Sequence, residues 1–141
     1  MKDSLLLQMK LTKNIIETKT NKYLKSYNIS HEQAMLLKVV YEVPGLSQTQ
    51  LAGYLHKDKT TITRMIDTLV KKGKLRREIS TEDRRVFQIY VTDETKKGVE
   101  ELSPIFEKQE MELRNIISDN DYYTTLEVFE KIKKYYKELN A

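Results

Sequence analysis

Between Lys57 and Arg85 the chain gathers side chains that neutralise phosphates and donate hydrogen bonds. Ten residues there are basic, Lys57, Lys59, Arg64, Lys71, Arg76, Arg77, Arg84 and Arg85 among them, against five acids. The net charge of the 141 residues is +4, so this segment holds all of the excess. Arginine suits the paired acceptors of guanine, threonine can meet the methyl group of thymine, and lysine suits phosphate oxygens. By type, Arg64 with Thr60, Thr61 and Thr63 are candidates for base edges. Lys57, Lys59 and Lys71 are candidates for phosphates, and His56 could touch one as well. Asp67 fits better as a structural partner of a neighbouring arginine. No nucleophile stands beside a base, and no glycine-rich phosphate loop or metal-ligand spacing is present. An enzyme is not expected, nor a cofactor. The absence of cysteine removes disulfides and thiolate metal sites. Two histidines in different helices, His31 and His56, make a poor metal set.

Three elements over residues 47–92 must position these side chains. Ser47, with Gln50 three residues on, forms a capping box that opens a short helix. Leu51, Ala52 and Leu55 are its apolar stripe. Asp58, a favoured N-cap type, opens a longer helix. Ile62, Met65, Ile66, Leu69 and Val70 follow the spacing of one buried face. Thr60, Arg64, Asp67 and Lys71 fall opposite, flanked by Lys57, Thr61 and Thr63. Such a polar face is most often merely solvated; the capped helix before it and the basic turn after it argue for more. Gly73 stops the helix. The period then changes to two. Residues 75–79 and 86–91 read as strands joined by the polar connection 80–85. Alternation sends Arg76 and Arg77 to opposite faces, so at most one of them meets a ligand directly. Helix, turn, helix and basic-tipped hairpin make a winged helix-turn-helix. Its second helix would lie in a DNA major groove. Its wing would bring an arginine to phosphate or the minor groove.

LSQTQLAGYL, the helix end LVKKGKLRR, the wing TEDRR and the closing VTDETKKG resemble the MarR family of bacterial transcription regulators. The DRR, and the VT with a glycine six residues on, are the most specific parts. Length and flanking helices fit too. The resemblance implies a mainly α fold with a small β-hairpin wing, its winged helix-turn-helix flanked by N- and C-terminal dimerisation helices. The chain is then a single MarR-like domain over 1–141, with the winged core at 30–92 and dimerisation helices at 1–28 and 93–141. The partners implied are double-stranded DNA and a second copy of the chain. The wing aspartate of the family pairs with an arginine and holds the wing in shape. Carried to Asp83, that role leaves Arg84 or Arg85 to reach DNA. Ser47, Gln48 and Arg77 complete the candidate DNA-contacting set. In the family, small aromatic or phenolic compounds often bind between the dimer helices and the winged domain. Tyr23, Tyr27, Tyr41 and Tyr54 could line such a pocket, although core and interface packing is the plainer role of each. The branch of the family that senses peroxide through cysteine is closed to this chain.

The rest of the chain reads as further helix. Residues 4–27 form one long helix with a wide apolar face around Leu7, Leu11, Ile15, Ile16 and Leu24. Residues 30–42 form another, opened by the capping box of Ser30 and Gln33 and apolar on more than one side. It should be the buried centre. Thr92 is an N-cap type for a long helix to about Ile117, which Pro104 should kink or break in two. Ser118-Asp119-Asn120-Asp121 is a turn, and a last helix runs from about 121 to 138. The terminal helices carry more apolar surface than a small winged domain covers, so a second copy is the economical cover. A C2 dimer would set two recognition helices about one turn of DNA (~34 Å) apart on a pseudo-palindrome. No apolar run approaches the ~18 residues of a membrane span, and the N-terminus does not fit a secretory signal. The expectation is a cytoplasmic homodimeric repressor that binds a specific DNA site and is released by a small ligand. A winged-helix module that binds a protein, without specific DNA contact, is the rival.

Overall fold

The core gathers on the helix of residues His31–Glu42, which buries Ala34, Leu36, Leu37 and Val40. Those positions span more than one side of the helix, so neighbours can pack around it. The computed structural model describes residues 2–139. The outermost residues of the expected dimerisation spans, Met1, Asn140 and Ala141, lie outside the described residues. In chain order the elements are α1 (Leu5–Leu24) with a 3-10 turn (Lys25–Tyr27), α2 (His31–Glu42), β1 (Leu46–Ser47), α3 (Gln48–Leu55), α4 (Lys59–Lys71), β2 (Leu75–Ile79), β3 (Phe87–Val91), α5 (Asp93–Ile116) and α6 (Asp119–Leu139).

The helix starts follow from their caps. Ser30 with Gln33 and Ser47 with Gln50 form reciprocal capping boxes. Each satisfies two backbone donors that would otherwise lack a partner. Asp58 caps α4 by accepting the Thr61 amide at 2.7 Å and the Thr61 hydroxyl at 2.8 Å. His56 stands in the left-handed region (φ 51°) at the end of α3, which turns the chain sharply into α4. Gly73 ends α4 at φ 74°, a conformation in which a side chain is costly.

Two compact units divide the chain, residues 1–102 and 103–141. In the first, Leu51 of α3, Ile62, Ile66 and Leu69 of α4, Ile89 of β3 and Leu102 of α5 join the α2 side chains in the core. The sheet has three antiparallel strands in the order β1-β3-β2, one more than the hairpin expected. A two-residue strand has no period to read. It forms because Leu46 pairs with Ile89 and the Gly45 amide donates to the Ile89 carbonyl at 3.0 Å. Gly45 sits at φ +88°, and a Cβ there would lie 3.1 Å from the Tyr90 hydroxyl. β3 begins at Phe87 rather than Val86, because the Val86 amide closes the preceding turn on the Asp83 carbonyl at 3.0 Å. α1 buries only Thr20 and Leu24 in this chain, and its expected apolar face is largely exposed.

Thr92 precedes α5 as expected, with its hydroxyl donating to the Gly73 carbonyl at 2.7 Å. The expected break at Pro104 does not occur, since α5 runs continuously through it. Proline removes one hydrogen bond, and a 24-residue helix retains the ladder on either side. The two compact units nonetheless part at this turn, between Leu102 and Ser103. In the second unit Ser118 caps α6 by accepting the Asp121 amide at 3.1 Å. Arg114 donates to the Tyr123 hydroxyl at 3.0 Å and lies 4.7 Å from the Tyr122 ring centre. That cluster ties α6 to the preceding helix. Among the described residues no helix is long and apolar enough to cross a membrane.

Leu69→Ala should cost about 2–5 kcal/mol, from lost burial and the cavity left behind. Ser47→Ala should cost about 1 kcal/mol through the lost cap. Urea unfolding followed by helical circular dichroism at fixed protein concentration measures both. A Leu69→Ala loss no larger than that of Ser47→Ala would contradict the packing described.

Candidate nucleic-acid interface

The orientation of α4 decides which side chains can meet a ligand. Burial of Ile62, Ile66 and Leu69 turns Thr60, Arg64, Asp67 and Lys71 outward, and all four are exposed. Hydrogen bonds then divide the polar set. Thr61 is engaged by the Asp58 carboxylate. The Thr63 hydroxyl lies 2.8 Å from the Gln48 Oε1 and 2.9 Å from the Lys59 carbonyl. It has one proton, so it is a strut between α3 and α4 and its donor is in use. The side chains of Lys59, Thr60, Arg64 and Lys71 have no hydrogen-bond or ion-pair partner among the described residues. Lys57, in the turn before α4, is 3.2 Å from Glu32 of α2.

Asp67 does not stand free on this face. It forms an ion pair with Arg77 of β2, which locks the ribbon to α4. Arg76 points the other way, to Glu78 and over the Tyr90 ring at 4.6 Å. Alternation along β2 separates the two arginines in this manner, and both side chains have protein partners.

The wing turn builds itself from its own polar groups. Ser80 Oγ accepts the amides of Glu82 and Asp83 at 3.2 and 3.4 Å. The Ser80 amide donates to the Val86 carbonyl at 2.9 Å. Asp83 accepts the Arg85 amide at 3.0 Å and the Arg85 guanidinium at 3.1 and 3.2 Å. Of the two arginines, Arg85 is the one paired with Asp83, and Arg84 is exposed with no side-chain partner among the described residues. The Arg85 side chain, first, and its amide hold the Asp83 carboxyl below the usual carboxylate range. The polar connection 80–85 does not by itself single out Ser80; the serine-to-aspartate spacing of a side-chain-closed turn is the signal that does.

The four tyrosines have separate surroundings. Tyr27 and Tyr41 donate to Glu101 and Glu100 of α5 at 3.3 and 2.7 Å, while Tyr23 and Tyr54 are exposed. A groove of about 330 Å³ at the α1–α2 junction is lined by Asn21, Lys25, Asn28, Ile29, Ser30, Gln33 and Lys72, none of them one of the four. His31 and His56 stay apart in role. The His31 Nδ1 is 3.6 Å from the Glu17 carboxylate, and His56 ends α3. Among the described residues no group of three His, Cys, Asp or Glu side chains could hold a metal.

Comparison with known proteins agrees with this geometry. Residues 29–87 match the model of the MarR family. An uncharacterized HTH-type transcriptional regulator of Bacillus subtilis, YwaE, is 34% identical over 90 residues, covering 64% of this chain and 53% of the relative. The HTH-type transcriptional regulator PapX of Escherichia coli is 33% identical over 96 residues, covering 66% and 58% respectively. The chain thus spans little more than half the length of these curated relatives. The fold aligns with Staphylococcus aureus MepR in a MepR–DNA complex at a TM-score of 0.88 and 22% identity, over 93% of this chain and 96% of that one. It aligns with Streptococcus pneumoniae FabT in complex with DNA at 0.76 and 17% identity, over 94% and 96%. At such identities these structures establish the fold alone.

Asp58 supplies a pH test of the α4 cap. The Thr61 amide, above all, and the Thr61 hydroxyl depress the Asp58 carboxyl. A carboxyl depressed in the folded state stabilises above its unfolded pKa, and that contribution disappears as pH falls through the folded value. Asp58→Ala should therefore lower the urea midpoint at neutral pH, and its gap to wild type should close on acidification below the usual carboxylate range. A gap that stays constant with pH would show that the ionised cap contributes nothing.

Proposed function

We propose that this chain, whose residues 29–87 match the model of the MarR family, is a sequence-specific DNA-binding transcription regulator of that family. One observation carries the reading. The exposed face of α4 holds Lys59, Thr60, Arg64 and Lys71 without protein partners, beside a wing tip with Arg84 equally unpartnered. Unpaired cations on one surface are what a polyanion meets without first breaking ion pairs. Within that surface Arg64 and Thr60 are assigned to base edges, and Lys59, Lys71 and Arg84 to the phosphate backbone or minor groove. Lys57, Arg77 and Arg85 would join only by sharing or releasing Glu32, Asp67 and Asp83. Ser47, Gln48, Thr61 and Thr63 act by holding α3 and α4 in position, with Asp83 doing the same for the wing.

The working species in this proposal is a homodimer. α1 exposes Leu5, Leu6, Leu11, Ile15 and Ile16, and α6 exposes Leu126, Phe129, Tyr135, Tyr136 and Leu139. An exposed apolar helix face of this kind marks an interface. The two copies would read the halves of a pseudo-palindrome. The aligned MepR and FabT structures are complexes with DNA, which supports the same partner here. We assign the protein a repressor role, relieved by a small aromatic ligand near Tyr23, Tyr27, Tyr41 and Tyr54. The engagement of Tyr27 and Tyr41 with α5 supports that place, since a ligand competing for those hydroxyls would disturb the helix that follows the wing.

The test is binding to DNA from the chain's own upstream region against a random duplex of equal length, over a salt series. Tight, salt-steep binding to the upstream DNA by two chains per site is expected. Arg64→Ala should cost about 1–3 kcal/mol there and erode the preference over random DNA. Lys71→Ala should weaken both duplexes alike and lower the salt slope by about 1. Weak, equal binding to both duplexes would instead favour a protein-binding module.

A further inference from the structure

Ile79 and Phe87 are both exposed, at 59% and 42%, although they sit on the core-facing side of the wing. The register shows why. Leu75 pairs with Val91, Arg77 with Ile89 and Ile79 with Phe87, so these six side chains share one face of the ribbon. Leu75, Ile89 and Val91 are buried. Arg77, from the same face, reaches Asp67 of α4. The face is therefore turned toward α4. Beyond Arg77 the ribbon reaches past the core, and its last pair stays about half-exposed.

We infer that Ile79 and Phe87 form an apolar shelf that packs on the deoxyribose wall of the groove entered by the wing, an inference that rests on the DNA reading above. Charge complementarity selects this occupant. With Asp67, Glu78 and Asp83 each neutralised by an arginine, the unpaired charges on the wing and the facing side of α4 are Arg84 and Arg64 against Glu82, so the balance is basic. A duplex presents the matching arrangement, with apolar sugar carbons between rows of phosphates. Alternation also excludes an accident of composition, because the opposite face of the same strands carries Arg76, Glu78, Gln88 and Tyr90. Apolar contact displaces no counterions, so the shelf should add affinity that salt does not screen, alongside the salt-dependent contribution of the arginines.

The experiment measures anisotropy of labelled upstream DNA, titrated with the full chain over a salt series. It compares wild type, Ile79→Ser with Phe87→Ser, Ile79→Val with Phe87→Leu, and Arg84→Ala. The serine pair should lose about tenfold in affinity, from apolar area no longer covered, with an unchanged salt slope and unchanged size by gel filtration. The conservative pair should bind within about threefold of wild type. Arg84→Ala should lower the slope. If the serine pair does not fold, as judged by helical signal, Ile79→Thr alone carries the test with an expected loss of about threefold. Wild-type affinity in the serine pair would overturn the shelf while leaving the DNA reading intact. Unchanged DNA affinity with altered assembly size would overturn it in favour of a protein contact. Weak and equal binding of wild type to upstream and random DNA would remove the DNA reading, and the shelf with it.

Discussion

Everything the surface of this protein can do follows from the burial of three side chains on one helix. Ile62, Ile66 and Leu69 are fully buried, and a helix held by such a seam cannot rotate without exposing it. At about 25 cal/mol per Å² of apolar surface, rotation would cost more than any single polar contact on the far side could return. The outward direction of Thr60, Arg64 and Lys71 is thus a consequence of the core. The caps at Ser47 and Asp58 and the left-handed His56 set where the helix begins, and the seam sets how it is turned.

A second division operates within the polar residues. Several side chains that look alike by type differ in whether the fold has already engaged them. Thr61 holds the α4 cap and Thr63 bridges to Gln48, whereas Thr60 keeps its hydroxyl. Arg77 fastens the ribbon to Asp67 and Arg85 braces the wing on Asp83, whereas Arg64 and Arg84 have no such duty. Four of the five acids in the basic segment neutralise or position a particular partner. Asp58 caps a helix, Asp67 holds Arg77, Glu78 holds Arg76 and Asp83 holds Arg85. These exposed pairs contribute little stability each. Their effect is to leave particular cations free and to give the wing one shape.

The long terminal helices follow a different economy. α1 buries two residues and α6 none within this chain, so most of their apolar positions stay exposed in the single chain. Packing against a second copy would supply the missing burial and would place two winged units under one geometric constraint. The division of the chain at the turn of Pro104 bears on the same helices, because α5 is the element common to both compact units.

Most of the architecture was legible in the residues themselves. Capping boxes at Ser30 and Ser47, the cap at Asp58, the stop at Gly73 and the 3.6-residue spacing of α4 are local signals, and local signals need only neighbours in sequence. The same holds for the change to a two-residue period at Leu75. β1 was not legible, because two residues have no period and their pairing partner, Ile89, lies more than 40 residues away. Of the two outcomes the proline rule allows at Pro104, a kink or a break, the break does not occur, because one missing hydrogen bond does not end a ladder of this length. Within the candidate site the chain's sequence by itself determined which residue types gather on α4 and the wing. Only the tertiary structure decided which of them are free, because pairing depends on where side chains from α2, α3, β2 and the wing turn converge. Sequence could equally have freed Arg85 or Arg84, and could not expose Ile79 and Phe87. Those outcomes belong to distances in space, which composition and spacing do not contain.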